Sequence, residues 1–155
     1  MGMIFAIIEA LGGNQFMKAK VIYWTGSGNT QMMADSIFEA LEDAGVETEI
    51  HYVSDVSAED VKDADMLFLG CPSMSGEDVE EYEFRPFLDD LKPFLDGKPV
   101  VMFGSYDWGD GEWMDSWKEE MAEIGADIKD TYIFQWEPSD ETLKEVYEKV
   151  KVLVQ

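Results

Sequence analysis

Short apolar runs alternate along this chain with segments of helical periodicity, and this alternation limits the possible folds more than any other feature. The predicted strands are residues 19–24, 46–53, 66–69, 99–103 and 128–134. The predicted helical segments are 30–44, 57–61, part of 84–95, 112–124 and 140–153, with N-caps at Asp110 or Gly111 and at Ser139 or Asp140. Alternating strands and helices indicate an α/β fold, in which helices cover both faces of a five-stranded parallel sheet.

The length of 155 residues suits one well-buried core and is short for two. Residues 1–16 contain a short apolar run but lack the positive start and the small-residue cleavage site of a signal peptide. Because Met17 leads directly into the first predicted strand, we expect residues 1–16 to be an N-terminal extension outside the core. They could be a translated leader ahead of a start at Met17, or an amphipathic helix packed on the domain. Residues 17–155 are the expected domain.

The charge of the chain excludes some classes of partner. It carries 34 acidic and 11 basic side chains, for a formal net charge of −23. Nucleic acids and anionic membranes are bound by clustered Lys and Arg, so we expect neither, and a protein partner should present a basic surface. The single cysteine, Cys71, excludes an internal disulfide, and no stretch of about 18 apolar residues suggests a membrane span. We therefore expect a cytoplasmic protein.

Three unusual loops follow predicted strands. They are residues 25–30 after the first strand, 72–78 after the third and 105–111 after the fourth. In an open parallel sheet, ligands bind beyond the carboxyl ends of the strands, where the strand order reverses. The three loops are therefore expected to meet at one edge of the sheet.

The first loop has the composition of a phosphate site. Its residues are Thr25, Gly26, Ser27, Gly28, Asn29 and Thr30. Glycines let backbone N–H groups point inward, hydroxyls add donors, and the following helix presents its positive end. The loop lacks the lysine of a triphosphate loop, and Gln31 stands where a dinucleotide loop needs a third glycine. These features favour a monophosphate held by neutral donors, the alternative being a plain strand-to-helix turn.

The other two loops carry side chains that suit a flat aromatic ligand. Met74 can lie against an aromatic face, and the Glu77 carboxylate can accept a hydrogen bond from a ring N–H. Trp108 stands in a glycine-rich loop, where a packing role in the core is hard to assign. A flat ring between two loops, with a phosphate in the first, matches the shape of riboflavin phosphate (FMN).

Three segments carry a specific resemblance: Y23-W-T-G-S-G-N-T, G70-C-P-S-M and G104-S-Y-D-W-G-D-G-E-W. They resemble the FMN loops of short-chain flavodoxins of anaerobic, clostridia-like bacteria, and the match runs from about Lys20 to the C-terminus. The resemblance implies a flavodoxin-like three-layer sandwich with sheet order 2-1-3-4-5. It also implies a monomeric, low-potential one-electron carrier that shuttles electrons between redox proteins on noncovalently bound FMN and is not an enzyme by itself.

By position, the resemblance assigns a role to each loop. Residues 25–30 would hold the phosphate, and the second loop would meet the inner face and the N3/N5 edge of the ring. Trp108 would stack on the outer face, and the residues before it would line the N1 and O2 side. The implied ring contacts are Ser73, Met74, Ser75, Gly76, Glu77, Ser105, Tyr106, Asp107, Trp108 and Gly109.

Two positions depart from the family pattern. The family loop usually reads Met-Gly-Asp-Glu, whereas here Ser75 and Gly76 move the glycine by one place. The peptide at this point is expected to flip when the flavin gains one electron, and Gly76 would favour the flipped form because a type II turn needs positive φ there. Asp107 stands where the family often has glycine, and its carboxylate would oppose negative charge on the ring unless it points to water.

Other interpretations have less support. Asp107, Asp110 and Glu112 lack the spacing of a calcium loop, so we expect no metal site. His51 is expected to be a structural or surface residue. A phosphorylated receiver domain would need an aspartate after the third strand, where Cys71 stands. An FMN-dependent reductase acting on a small molecule is the alternative function, although it would need a second pocket.

Overall fold

The computed structural model describes residues 17–74 and 77–155, and these contain one parallel sheet. The strands are β1 (Lys18–Tyr23), β2 (Glu47–Tyr52), β3 (Met66–Gly70), β4 (Pro99–Tyr106) and β5 (Asp127–Gln135). The helices are α1 (Asn29–Asp43), α2 (Ala58–Val61), α3 (Phe84–Leu91), α4 (Glu112–Glu123) and α5 (Asp140–Leu153), with 3₁₀ turns at Val53–Asp55 and Lys92–Phe94. The sheet order is β2-β1-β3-β4-β5, and every adjacent pair is parallel. The expected α/β fold and strand order are confirmed.

The sheet separates two apolar layers, because successive side chains of a strand point to opposite faces. Val21 and Phe68 pack on the layer of α1 and α5. Ile22 and Leu67 pack on the opposite layer, which contains α2, α3 and α4. Every residue of β3 is buried, as expected for a central strand covered on both sides. Burying one such large apolar side chain stabilises the fold by about 1.5–3 kcal/mol.

The main difference from the sequence prediction is the length of β4. The strand was expected to end at residue 103, but it continues to Tyr106, which pairs with Gln135 of β5. Ser105 and Tyr106 therefore lie on a strand, and the third loop begins only at Asp107. The reason is tertiary, since the longer β5 supplies hydrogen-bonding partners for these extra residues.

For each of the two predicted pairs of N-cap residues, one member is the N-cap in the structure. Gly111 caps α4 with φ +89°, a left-handed conformation that glycine adopts without strain. Ser139 caps α5 and accepts a hydrogen bond from the Thr142 N–H at 3.1 Å.

Among the described residues, no helix has both the length and the apolar character that a membrane span requires.

Close approach of β3 and β4 positions the second and third loops. The Cys71 N–H donates to the Phe103 carbonyl at 3.0 Å, and the Ser73 N–H donates to the Ser105 carbonyl at 2.9 Å. A Cβ on Gly104 would lie 2.1 Å from the carbonyl oxygen of Cys71, so only glycine fits at this position. The second loop is therefore held alongside β4 as far as Ser73.

Candidate functional site

A cleft lies at the carboxyl end of the sheet, where the three loops meet. It has a volume of about 160 Å³ and is partly open to solvent. Its lining residues are Trp24, Gly26, Ser27, Pro72, Ser73, Met74, Ser105, Tyr106 and Asp107. Every loop predicted to converge on this edge contributes to the lining.

The first loop leaves the N-terminus of α1 available to an anion. Gly28 is the N-cap with φ +96° and has no capping side chain, and the first turn has no acidic residue. The Asn29 N–H meets Ser27 Oγ at the long distance of 3.4 Å. The Gly28 N–H donates to Thr25 Oγ1 at 2.9 Å, which closes the loop on itself. Backbone N–H groups at a helix start, together with the helix dipole, form a site for phosphate. The Ser27 side chain on the exposed loop can add a hydroxyl donor.

Thr30 connects the first loop to the third. Its side chain is buried, and its Oγ1 lies 3.5 Å from Oγ of Ser105 at the end of β4. Either hydroxyl can donate in this contact. Thr30 therefore belongs to the framework beneath the cleft, whereas Ser105 both supports that framework and lines the cleft.

The second loop is a turn closed by two backbone hydrogen bonds. The Met74 N–H donates to the Asp78 carbonyl at 2.9 Å, and the Glu77 N–H donates to the Met74 carbonyl at 3.1 Å. Glu77 has φ +57°, which is uncommon for a residue other than glycine. Ser75 and Gly76 lie outside the described residues, so the expected peptide flip stays a prediction.

The third loop presents an exposed aromatic side chain beside the cleft. The indole of Trp108 is 84% exposed and does not line the cleft itself. Gly109 follows with φ +82°, and a Cβ there would lie 2.9 Å from Oε1 of Glu77. Tyr106 packs against Trp113, with ring centroids 5.6 Å apart. The second and third loops are thus in contact near Gly109, with Trp108 at their outer margin.

Two lining residues, Trp24 and Pro72, were not assigned to the site by sequence. The Trp24 indole lies against Gly26, since a Cβ added to Gly26 would be only 3.0 Å from the ring. The Trp24 Nε1–H donates to Glu83 Oε1 at 3.0 Å. The Tyr52 hydroxyl donates to the same oxygen at 3.3 Å. The position of Trp24 directly before the phosphate loop was a usable signal. Glu83 lies 59 residues away from Trp24, and no local pattern indicates their contact.

Glu80 is an acidic residue near the cleft whose side chain is buried rather than exposed. The Glu80 side chain is only 4% exposed. Its carboxylate accepts hydrogen bonds from the N–H groups of Tyr82, Glu83 and Phe84 at 2.6–2.9 Å. This carboxylate satisfies free N–H groups at the start of α3. The carboxylates that stay exposed around the site include Glu77 and Asp107.

Cys71 and His51 have structural surroundings. Cys71 is fully buried, and burial raises the pKa of its thiol, so the sulfur stays protonated and does not act as a nucleophile. His51 lies on β2, and its Nε2 is 2.7 Å from Glu49 Oε1, away from the cleft residues.

The residues around the cleft fit FMN, whose two parts need different environments. The phosphate needs donors, and the α1 N-terminus supplies backbone N–H groups that follow a glycine N-cap. The flat ring needs apolar contacts, and Met74 and Trp108 are large apolar side chains that remain exposed on the two loops beside the cleft. The first loop contains no lysine or arginine, so the donors there are neutral.

A family model and two curated relatives agree on one family for this chain. The family model described as Flavodoxin matches residues 21–149. Flavodoxin from Megasphaera elsdenii is 42% identical over 121 residues, covering 78% of this chain and 88% of that protein. Flavodoxin from Clostridium beijerinckii is 40% identical over 122 residues, with the same two coverages of 78% and 88%.

Solved structures agree with the sequence comparison. The solution structure of two-electron reduced Megasphaera elsdenii flavodoxin matches with a TM-score of 0.78 at 40% identity, covering 86% of this chain and 98% of that chain. A flavodoxin from the domain Archaea matches with a TM-score of 0.80 at 28% identity, covering 89% of this chain and 96% of that chain. Sequence and fold are therefore both similar over most of the chain.

Proposed function

Since this chain belongs to the flavodoxin family and is an FMN-binding carrier of electrons to redox partner proteins, we propose that its three loops hold FMN noncovalently in the cleft. The observation that carries this proposal is the N-terminus of α1, which follows a glycine N-cap and opens beside a cleft bordered by exposed apolar side chains. Bound FMN supplies the one-electron chemistry. The protein supplies position, polarity and charge.

The phosphate of FMN is bound by residues 25–30. Backbone N–H groups at the start of α1 donate to its oxygens, and the hydroxyls of Thr25 and Ser27 lie in the same loop. Asn29 adds its side-chain amide, and Thr30 holds the loop against Ser105. Neutral donors suffice here because the helix dipole already favours an anion.

Met74 and Trp108 would hold the ring of FMN from its two faces. Stacking would cover both exposed side chains, which removes apolar surface from water. Glu77 would accept a hydrogen bond from the ring edge, and Ser105, Tyr106 and Asp107, which line the cleft, would meet the opposite edge. Ser73 and Gly109 would complete the backbone around the ring, and Ser75 and Gly76 stay predicted ring contacts.

The acidic surface lowers the potential of the bound flavin. At about 10 Å through water, one carboxylate repels an anion by roughly 0.4 kcal/mol before salt screening. With a net charge of −23, several such carboxylates act together. They oppose the negative charge that reduction places on the ring, so the carrier works at low potential.

The same charge selects basic-surfaced redox proteins as partners. Complementary charge raises the rate of encounter and favours a docking face near the flavin. The carrier acts in the cytoplasm as a monomer, residues 17–155 forming its functional domain.

Binding of flavin to the purified chain tests this proposal. A chain stripped of flavin and titrated with FMN should bind one equivalent and quench its fluorescence, whereas riboflavin should bind more weakly because it lacks the phosphate. Ser27→Ala should weaken binding of FMN but leave binding of riboflavin unchanged. Equal affinity for FMN and riboflavin would contradict the assignment of residues 25–30 to the phosphate.

A further inference from the structure

The chain contains one arginine, and its side chain joins the second loop to two helices. Arg85 lies in the first turn of α3. Its Nη2 is 2.7 Å from Asp78 Oδ1, and its Nη1 is 2.5 Å from Glu120 Oε2 on α4. Nη1 is also 3.6 Å from Asp89 Oδ1. The two ends of one guanidinium therefore hold carboxylates on separate parts of the fold.

Asp78 is the residue through which this contact reaches the loop. Its carbonyl accepts the Met74 N–H, and these two residues form an isolated antiparallel bridge. Its carboxylate also accepts the Val79 N–H at 2.7 Å. Asp78 thus closes the turn that carries Met74 and Glu77, and Arg85 fixes Asp78 from outside that turn.

Lys92 provides a comparison within the same network. Its Nζ is 2.6 Å from Glu120 Oε2 and 3.1 Å from Asp89 Oδ1. It therefore pairs with two of the carboxylates that Arg85 also meets, yet it has no ion pair with Asp78. Arg85 alone connects this helical network to the second loop among the ion pairs of the described residues.

A guanidinium is suited to this arrangement, whereas an ammonium is not. The guanidinium is a rigid planar fork whose nitrogens donate in different directions at once, but a lysine is a single point charge on a flexible stem. The side chain of Arg85 is only 24% exposed, so water and salt screen its contacts less than those of a free surface pair. Desolvation lowers the pKa of Arg85, but Glu120 and Asp78 outweigh it and the net shift is upward, so the group stays charged.

We propose that Arg85 is a positioning residue that fixes the Met74–Asp78 turn against α3 and α4 before the flavin binds. The turn then meets the ring without first losing conformational freedom, which favours binding. This inference rests on the proposed function, because it takes the turn to be the part of the cleft that contacts the flavin ring.

Four variants of the full chain test this role. Arg85→Gln removes the guanidinium that holds the loop. Asp78→Asn removes the charge of its partner and so weakens the contact, while keeping an oxygen that can accept the Val79 N–H. Arg85→Lys keeps the charge but not the fork. Lys92→Gln is the matched control, since it removes a cation from the same network without touching Asp78.

The first readout is amide hydrogen exchange at Met74 and Glu77 in the flavin-free chain, with the amide of Cys71 as an internal reference. Exchange at both turn amides should be about three- to tenfold faster in Arg85→Gln and Asp78→Asn, a range set by the modest strength of partly exposed ion pairs. Arg85→Lys should fall between these variants and the wild type. Lys92→Gln should match the wild type.

The second readout is FMN affinity together with the two reduction potentials. Arg85→Gln and Asp78→Asn should each weaken FMN binding by about three- to tenfold. The variant that combines Arg85→Gln with Asp78→Asn should bind FMN no more weakly than the weaker-binding of the two single variants. The gap between the two potentials should change in both variants and not in Lys92→Gln.

Unchanged exchange at Met74 and Glu77, or equal effects of Lys92→Gln and Arg85→Gln, would overturn the inference. So would strictly additive losses in the double variant. Failure of the wild type to bind FMN would instead count against the proposed function, while the exchange in the flavin-free chain would still report on Arg85.

Discussion

The indole Nε1–H of Trp24 donates a hydrogen bond to Glu83 Oε1 at 3.0 Å, which links the residue before the phosphate loop to the N-cap of α3. The Tyr52 hydroxyl donates to the same carboxylate oxygen. Trp24 lines the cleft and lies against Gly26. Glu83 therefore acts on the cleft through the orientation of the Trp24 ring.

Removal of this acceptor should loosen the cleft. We expect Glu83→Ala to weaken FMN binding roughly three- to tenfold, since one hydrogen bond to a charged group contributes about 1.5–3 kcal/mol and this one is partly exposed to water. The Trp24 Nε1–H resonance should shift in NMR spectra. Glu83→Gln, which keeps an acceptor oxygen, should behave more like the wild type.

Glu119→Ala serves as the control for removal of an exposed carboxylate that does not accept the Trp24 hydrogen bond. An equal loss of affinity in Glu119→Ala and Glu83→Ala would indicate that only net charge matters.

The contact of Gly104 with Cys71 should be sensitive to any added side chain. We expect Gly104→Ala to lower the free energy of unfolding by about 3 kcal/mol or more, because its Cβ would lie 2.1 Å from a backbone oxygen that cannot move freely. Urea denaturation monitored by circular dichroism measures this.

Gly45→Ala is the comparison for Gly104→Ala. Gly45 has φ +82° with open space around its would-be Cβ, so alanine there should lower stability by only about 1–2 kcal/mol. Similar losses at the two positions would contradict the packing argument.

Stability should fall at alkaline pH, in part through Tyr52. Burial, followed by the nearby Glu83 charge, raises the pKa of Tyr52 from 10.0 to about 12 in the folded protein. Between these values the unfolded chain releases the proton while the folded chain retains it. The contribution is therefore fully present below pH 10 and is lost as the pH rises through about 12.

Urea denaturation at several pH values between 9 and 12 checks this, with Tyr52→Phe beside the wild type. The decline should be shallower in Tyr52→Phe, although not absent, because the pKa of Tyr23 is raised as well. An identical decline in the two proteins would exclude a role for Tyr52.

Electron transfer to a basic acceptor should depend strongly on salt. We expect the second-order rate constant from the reduced protein to a basic c-type cytochrome to fall as ionic strength rises, because the screening length shrinks to about 8 Å at 0.15 M. Stopped-flow kinetics measures this. An uncharged quinone acceptor should show little dependence, and a rate to the cytochrome that rises with salt would contradict a basic-partner preference.

The fold was predictable because its signals are local and periodic. The apolar faces of α1 and α5 and the continuous apolar run at β3 indicate their structure within a few residues, and alternation of the two periods fixes the class of fold. The end of β4 was missed, since Tyr106 is extended only because Gln135 of β5 lies beside it.

The site was predictable only in part, for a related reason. Gly26, Gly28 and Met74 stand in loops whose composition indicates a ligand, so the sequence identifies them. Arg85 stands in a segment predicted to be partly helical, and Glu83 comes directly before that segment. Their importance comes from contacts with Trp24, Asp78 and Glu120, which only folding brings near.

The sequence alone determined the order of strands and helices, the loops that follow the strands, and an acidic charge that suits basic partners, because each depends on neighbouring residues or on simple sums. The tertiary structure decided which carboxylates are free. Glu80 is buried among backbone N–H groups, Glu83 accepts a hydrogen bond from Trp24, and Asp78 forms an ion pair with Arg85. These outcomes depend on distances between segments remote in sequence, which periodicity and composition do not contain.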